Sequence, residues 1–345
     1  MTEAEYEAAY IQAIVMVDGY TAQGESNEFS LNHLAQAYLS FNHLLASDTK
    51  VWLGRRYYQR KSIHILNHFW LNPGQNSQAA VGVEYMGVGA GKLDLAVFRS
   101  EDNFEVSNTP YLINHTNIDA RLHDLPIGKN RSLTVWLGVA HRSSVASLAY
   151  RQKLGHGFGL WLDQRAGKIV NTVVMIYQAG SSVTQSDFNP NAVREDQGWN
   201  LDEARSWEVS NTLTYESLPR YSYQWTLVYR QADFGVNGPS TLSWYSTGVR
   251  PIYCITRHLN VALEADVDVT DDEVNRRQGR LSKYTAALQI AADRGLKSRP
   301  VVRFFVTYAD WSADFSRLLK LSRMIADLRK LPISILFRIP NQCAV

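Results

Sequence analysis

Hydrophobic and polar residues alternate one by one along most of this chain. In 259–269, Leu259, Val261, Leu263, Ala265, Val267 and Val269 share one face, and Asn260, Ala262, Glu264, Asp266 and Asp268 share the other. In 222–230, Tyr223, Trp225, Leu227 and Tyr229 oppose Ser222, Gln224, Thr226, Val228 and Arg230. Segments 281–291 and 133–140 follow the same rule. So do segments near 6–18, 31–43, 50–59, 80–89, 91–99, 117–125, 156–164, 168–178, 204–215, 241–253 and 300–311. Successive side chains of a strand point to opposite faces, so a period of two predicts about fifteen β-strands and an all-β fold.

Most of these segments approach the ~9–11 residues that a tilted strand needs to cross a bilayer. Strands of soluble sandwiches are nearer ~5–6 residues. Connections such as 293–295 and 218–220 are short, whereas 100–116, 181–200 and 270–279 read as long and polar. Short and long connections between strands with one apolar and one polar face fit an outer-membrane barrel with a wet lumen. Tyr20, Tyr85, Tyr177, Trp225, Tyr253 and Tyr308, near strand ends, are candidates for its interfacial aromatic girdles. The same alternation also fits a large soluble β protein with its apolar face inward, because the pattern does not say which face is inside.

The composition excludes several classes. Lys and Arg total 35 against 33 Asp and Glu, a net charge of +2, so a strongly basic nucleic-acid binder is excluded. Two cysteines, Cys254 and Cys343, build neither a disulfide framework nor a thiolate zinc cluster. No apolar run is long enough for a membrane-spanning helix, which excludes a helical membrane protein but not one of every kind. Tyr (18) and Trp (9) outnumber Met (5); their amphipathic rings suit membrane interfaces and sugar-stacking surfaces.

The two ends differ from the middle. The first 49 residues contain no Lys or Arg and do not form a secretory signal. Residues 313–345 contain no Gly, Tyr or Trp and carry six basic residues against two acids, so the net positive charge resides there. The division expected is a barrel domain over 1–312 and an atypical basic tail over 313–345. The abrupt change reads as a foreign end, such as a translated frameshift; a basic amphipathic helix is the alternative, with Leu318, Leu321, Ile325 and Leu328 at helical spacing.

Four stretches carry a family resemblance, in order: Val51-Trp-Leu-Gly-Arg-Arg-Tyr-Tyr-Gln-Arg60, Gly91-Lys-Leu-Asp-Leu-Ala-Val-Phe-Arg99, Thr247-Gly-Val-Arg-Pro-Ile-Tyr253 and Ser298-Arg-Pro-Val-Val-Arg-Phe-Phe-Val-Thr-Tyr-Ala-Asp-Trp311. They resemble segments of the maltoporin-type (LamB-like), carbohydrate-selective porins over roughly 40–312. The resemblance implies an eighteen-stranded transmembrane antiparallel β-barrel with an inward-folded constriction loop. It also implies a homotrimer in the outer membrane of a Gram-negative bacterium and diffusion of maltodextrin-like oligosaccharides through the pore. Partners would be the oligosaccharide, outer-membrane lipid and further copies of the chain, with no nucleic acid. Against that pattern the first strands, the signal peptide and the aromatic-rich last strand are missing, so truncation is expected.

The same resemblance places the constriction loop just after Arg60. Arg60 matches an arginine of the family's polar track, Ser62 and Asn67 stand where the track has aspartates, and Phe69 stands at the constriction tyrosine. His33 falls near another track arginine. Losing two carboxylates removes strong acceptors for sugar hydroxyls, which bears on maltodextrin more than on saccharides in general. Passage breaks no bond, so no catalytic residue, cofactor or metal is expected and the protein is not read as an enzyme.

Other motifs have ordinary readings. His64 and His68 lack supporting carboxylate or thiolate neighbours for a metal site. Gly87-Val-Gly-Ala-Gly-Lys92 lacks phosphate-loop spacing and reads as a turn. Asp310 beside Trp311 has no identifiable partner carboxylate for glycoside cleavage. Two alternatives stay open: a soluble β-rich glycan-binding or glycan-cleaving protein, with Leu259, Val261, Leu263 and Val267 inside a core, and a non-functional truncated porin remnant.

Overall fold

In a computed structural model of the chain, the described residues are 9–20, 30–44, 46, 48–63, 65–66, 68–74, 77–106, 109–144, 151–185, 200–217, 220–235, 241–273, 276–296, 298 and 300–312. The expected tail, 313–345, lies outside them. The first strands are β1 (Tyr10–Tyr20), β2 (Ser30–Asn42) and β3 (Lys50–Arg55), followed by a small hairpin of β4 (Lys61–Ile63) and β5 (His68–Leu71). Next come β6 (Ser77–Val88), β7 (Gly91–Val106), β8 (Thr109–Pro126), β9 (Arg131–Arg142), β10 (Lys153–Ala166) and β11 (Ile169–Gly180). The series ends with β12 (Arg205–Ser217), β13 (Tyr221–Asp233), β14 (Thr241–Cys254), β15 (Leu259–Asp272), β16 (Arg277–Ala291) and β17 (Val301–Trp311).

Among the described residues, fifteen of these strands form one antiparallel sheet in chain order, with β3 pairing β6 and the β4–β5 hairpin left out. No ladder among them joins β1 to β17. Each strand corresponds to one alternating segment of the sequence. At one end of the sheet, strands join through 89–90, 127–130, 167–168 and 255–258; at the other they join through 143–152, 181–204 and 234–240. At the first end 43–49 and 292–300 are longer, and at the second 107–108 and 273–276 are short. The longest connections nonetheless share one end, as in an outer-membrane barrel with short periplasmic turns and long loops outside.

The expectation of long connections at 100–116 and 270–279 is corrected, as is that of a short one at 293–295, where 292–300 separate the last two strands. Strands β7 and β8 run through the first and pair from Lys92↔His123 to Val106↔Thr109, and β15 and β16 pair as far as Asp272↔Arg277. Stretch 270–279 has one apolar residue, Val274, and in 100–116 the apolar residues Phe104, Val106, Tyr111, Leu112 and Ile113 do not alternate through the stretch, so neither shows a sustained period-two hydrophobic signal.

Exposure decides which face is inside. Leu137 is 56% exposed, Leu263 52%, Tyr284 51% and Val306 48%, whereas Asp94 and Asp119 are 0% exposed and Glu84 and Arg121 1%. Leu259, Val261 and Val267 stay partly exposed while their neighbours Asn260, Ala262 and Asp266 are buried. A soluble core would do the reverse. The apolar face is the outer one, as a bilayer requires, and the chain is an antiparallel transmembrane β-barrel. Tyr177, Trp225, Tyr253 and Tyr308 are exposed on that face. Tyr85 is not: its backbone is at φ 64 in a bulge of β6, its N–H donates to Asp94, and its ring meets His123 edge-on at 5.9 Å. The bulge turns the side chain away from the lipid side.

The inner face carries large side chains where facing glycines make room. Trp136 lies over Gly157 and Gly159 of β10, and a Cβ on Gly157 would stand 2.7 Å from Trp136 Cζ3. Trp52 similarly occupies the space above Gly82.

Candidate functional site

After β3 the chain leaves the sheet and crosses its inner face before returning as β6. Gly54 sits at the departure with φ 123, a conformation that favours glycine. The β4–β5 hairpin has two unlike sides. Ile63 and His68 pair across it and are buried, as are Trp70 and Leu71; Ser62 and Phe69 also pair across it and are half-buried.

The buried side packs on the barrel wall. Ile63, Trp70 and Leu71 join Trp136, Trp161, Val174, Ile176 and Val228, with Trp70 edge-on to Trp161 at 5.1 Å. Hydrogen bonds fasten the crossing. Arg121 Nη1 donates to the Gln59 carbonyl at 2.8 Å, and Asn117 Nδ2 donates to the Pro73 carbonyl at 2.9 Å. His68 Nε2 lies 2.9 Å from Glu208 Oε2 on β12. A Cβ on Gly248 of β14 would stand 3.0 Å from Ile65 Cγ2 and 3.3 Å from Leu66 Cδ2, so the hairpin tip abuts that strand. The segment therefore spans the lumen from β3 to β14.

Charge is concentrated where the segment begins. Arg56 Nη1 meets Glu84 Oε2 at 2.7 Å, and Gln59 Nε2 donates to Glu84 Oε1 at 2.8 Å. Asp119 accepts Arg121 Nε at 2.8 Å and the Trp136 indole N–H at 2.7 Å. Tyr58 is fully buried against Trp52 and Phe98. Lys61 Nζ stands 5.6 Å from the Trp161 ring centroid.

The sequence candidates gather on the other side. The Arg60 guanidinium carbon sits 3.6 Å from the Tyr57 ring centroid and 5.1 Å from that of Phe69, which pairs with Ser62. Asn67 lies outside the described residues. His33 pairs with Asp18 between β2 and β1, and its side chain is not among those described. Tyr57, which the sequence offers with Tyr58 as a girdle or packing feature, underlies Arg60 with its ring. A charged row on the inner wall near the hairpin tip escaped the sequence reading. There Arg250 Nε is 2.8 Å from Glu264 Oε1, Lys283 Nζ is 3.0 Å from Asp266 Oδ2, and Trp244 Nε1 donates to Asp268 Oδ1 at 3.1 Å. The polar face of 259–269 already carried those three acids, so the signal was present.

The sequence profile described as LamB porin matches residues 4–323. The chain belongs to the LamB porin family. Among solved structures, this LamB-family barrel is similar to the outer membrane channel DcaP of Acinetobacter baumannii. The TM-score is 0.55 at 10% identity, covering 88% of this chain and 82% of that one. It also matches OccD3 of Pseudomonas aeruginosa, with a TM-score of 0.45 at 10% identity, covering 81% and 73%. At such identities the likeness concerns the fold. The family match and the apolar outer face make the chain an outer-membrane porin of Gram-negative type.

Proposed function

We propose that this porin is sugar-selective and passes maltodextrin-like oligosaccharides by facilitated diffusion, as a homotrimer. The observation that carries the reading is the half-buried group of Tyr57, Arg60, Ser62 and Phe69 on the open side of the inner hairpin. A sugar ring offers apolar faces and a rim of hydroxyls. Aromatic faces take the former, and a guanidinium and a hydroxyl exchange hydrogen bonds with the latter. Asn67 and His33 join this track by resemblance. The carboxylates that Ser62 and Asn67 do not supply have counterparts in Glu264 and Asp266, paired with Arg250 and Lys283. Glu264 is 17% and Lys283 31% exposed at the side chain, so both offer atoms to a solute in the lumen.

Nothing in this chemistry breaks a bond, and no acid, base or nucleophile is assigned. Several weak contacts in a row allow entry and release, as conduction requires. The test is swelling of proteoliposomes. Maltose and maltotriose are expected to enter faster than equally large non-saccharide solutes. Equal rates would leave a general porin. Chemical cross-linking in detergent, with a band at three times the monomer mass, tests the trimer.

A further inference from the structure

We infer that the turn between β16 and β17 forms a second constriction, at the short-turn mouth of the channel, fastened by Glu216. Most connections at that end only close a hairpin, such as 89–90 and 167–168. After β16, residues 292–296 turn inward. The Leu296 N–H donates to Glu216 Oε1 at 3.0 Å. Glu216 belongs to β12 and falls on its inner face, in step with the buried Ser206, Glu208 and Ser210.

The distance involved makes the contact informative. β12 and β16 are separated by β13, β14 and β15. At about 4.8 Å per strand the path along the wall is roughly 19 Å, far beyond the reach of one glutamate side chain. The turn must cut across the mouth to meet it. The Leu296 side chain marks the route. It packs, as Phe305 of β17 does, on the cluster of Ile252 of β14, Ala262 of β15 and Ala287 of β16, an apolar step on the inner wall several residues in from the strand ends.

The turn is also braced. Asp293 N–H donates to Ser298 Oγ at 2.8 Å, and Ala292 N–H donates to the Pro300 carbonyl at 3.1 Å. The Asp293 carboxylate accepts the Arg294 N–H at 2.8 Å and faces Arg257 Nε at 3.3 Å. These bonds hold a fixed sill at the exit rather than a loose strand of chain. Solutes that pass the β4–β5 hairpin meet it last, so it sets exit width and size discrimination for ions and neutral solutes alike. The sill does not depend on sugar selectivity.

Three variants test it: residues 293–298 replaced by Asn-Gly, Glu216→Ala and Glu216→Gln. The readouts are single-channel conductance and proteoliposome swelling with a short and a long neutral solute, with heat-modifiable gel mobility as the check on folding. Excision should raise conductance and lose much of the difference between the two solutes. Glu216→Ala should raise conductance less. Glu216→Gln should stay near the parent, because an amide oxygen still accepts the Leu296 N–H. If the excised chain does not insert, Glu216→Ala carries the test. Conductance and size discrimination unchanged in the folded variants would overturn the constriction. Glu216→Gln behaving like Glu216→Ala would overturn the fastening, since the effect would then be one of charge.

Discussion

His68 of the inner hairpin and Glu208 of β12 meet at 2.9 Å although 140 residues separate them in the chain. Both are buried, and the His68 ring also stands edge-on to Trp244 at 4.8 Å. The contact ties the tip region of the crossing segment to the far wall, which fixes the height and angle at which Arg60 and Phe69 present themselves.

Removing one partner leaves the other buried without its bond, which costs about 1–3 kcal/mol and more for a charged group. His68→Ala and Glu208→Ala are each expected to destabilise the folded barrel in lipid by that order, read as a shift of the urea unfolding curve. The double variant should cost less than the two single losses added together. Single-channel current should become noisier in all three as the hairpin gains freedom. Additive losses with quiet current would mean that the pair does not position the hairpin.

Ser62 and Phe69 pair directly, so a carboxylate introduced at Ser62 would stand beside the aromatic ring. A hydrogen bond to a charged group is worth about 1.5–3 kcal/mol, roughly a tenfold or greater gain in affinity. Ser62→Asp is therefore expected to tighten block of the current by maltodextrin about tenfold. Arg60→Ala should weaken block while leaving conductance in plain salt equal or higher.

The two faces of β13 make opposite predictions three residues apart. Leu227 is 48% exposed to lipid near the middle of the strand, and Gln224 lies on the inner face. Leu227→Arg should cost about 2–4 kcal/mol of folding stability in lipid vesicles. Gln224→Arg should cost little and shift ion selectivity toward anions. Equal costs at both positions would contradict the assignment of faces.

Asp293 belongs to the turn outside the membrane span. Its carboxyl is held below the ordinary carboxylate range by the Arg294 N–H first and by Arg257 second. A depressed folded value means that the bracing is complete above the unfolded carboxyl value. It is lost as pH falls through the lower, folded one. A carbon-13 NMR titration in micelles should place the Asp293 midpoint below that of a model aspartate, and Arg257→Ala should raise it.

Much of this architecture is legible in the sequence. Each alternating segment became one strand, because a sheet with lipid on one side and water on the other writes its period into every span. Where strands rise out of the lipid that period fades, so the paired ends of β7 and β8 read as a loop. The direction of the apolar face was not legible, since alternation is symmetric; the exposure of Leu263 beside buried Asp266 resolves it. The hairpin was located by resemblance, not by periodicity. Its hold on Glu208 and the seat of Arg60 on Tyr57 arise from distant or irregular backbone, which leaves no local pattern. The inward course of 292–296 is hidden for the same reason.

The central claim is that a polar lumen, narrowed by the β4–β5 hairpin, recognises sugars as they pass. Single-channel recording in planar bilayers with graded maltodextrin tests it most directly. The account predicts stable channels whose current is interrupted in proportion to sugar concentration, with Arg60→Ala less sensitive than the parent. Stable channels that no sugar interrupts, or no channels at all from folded protein, would contradict it.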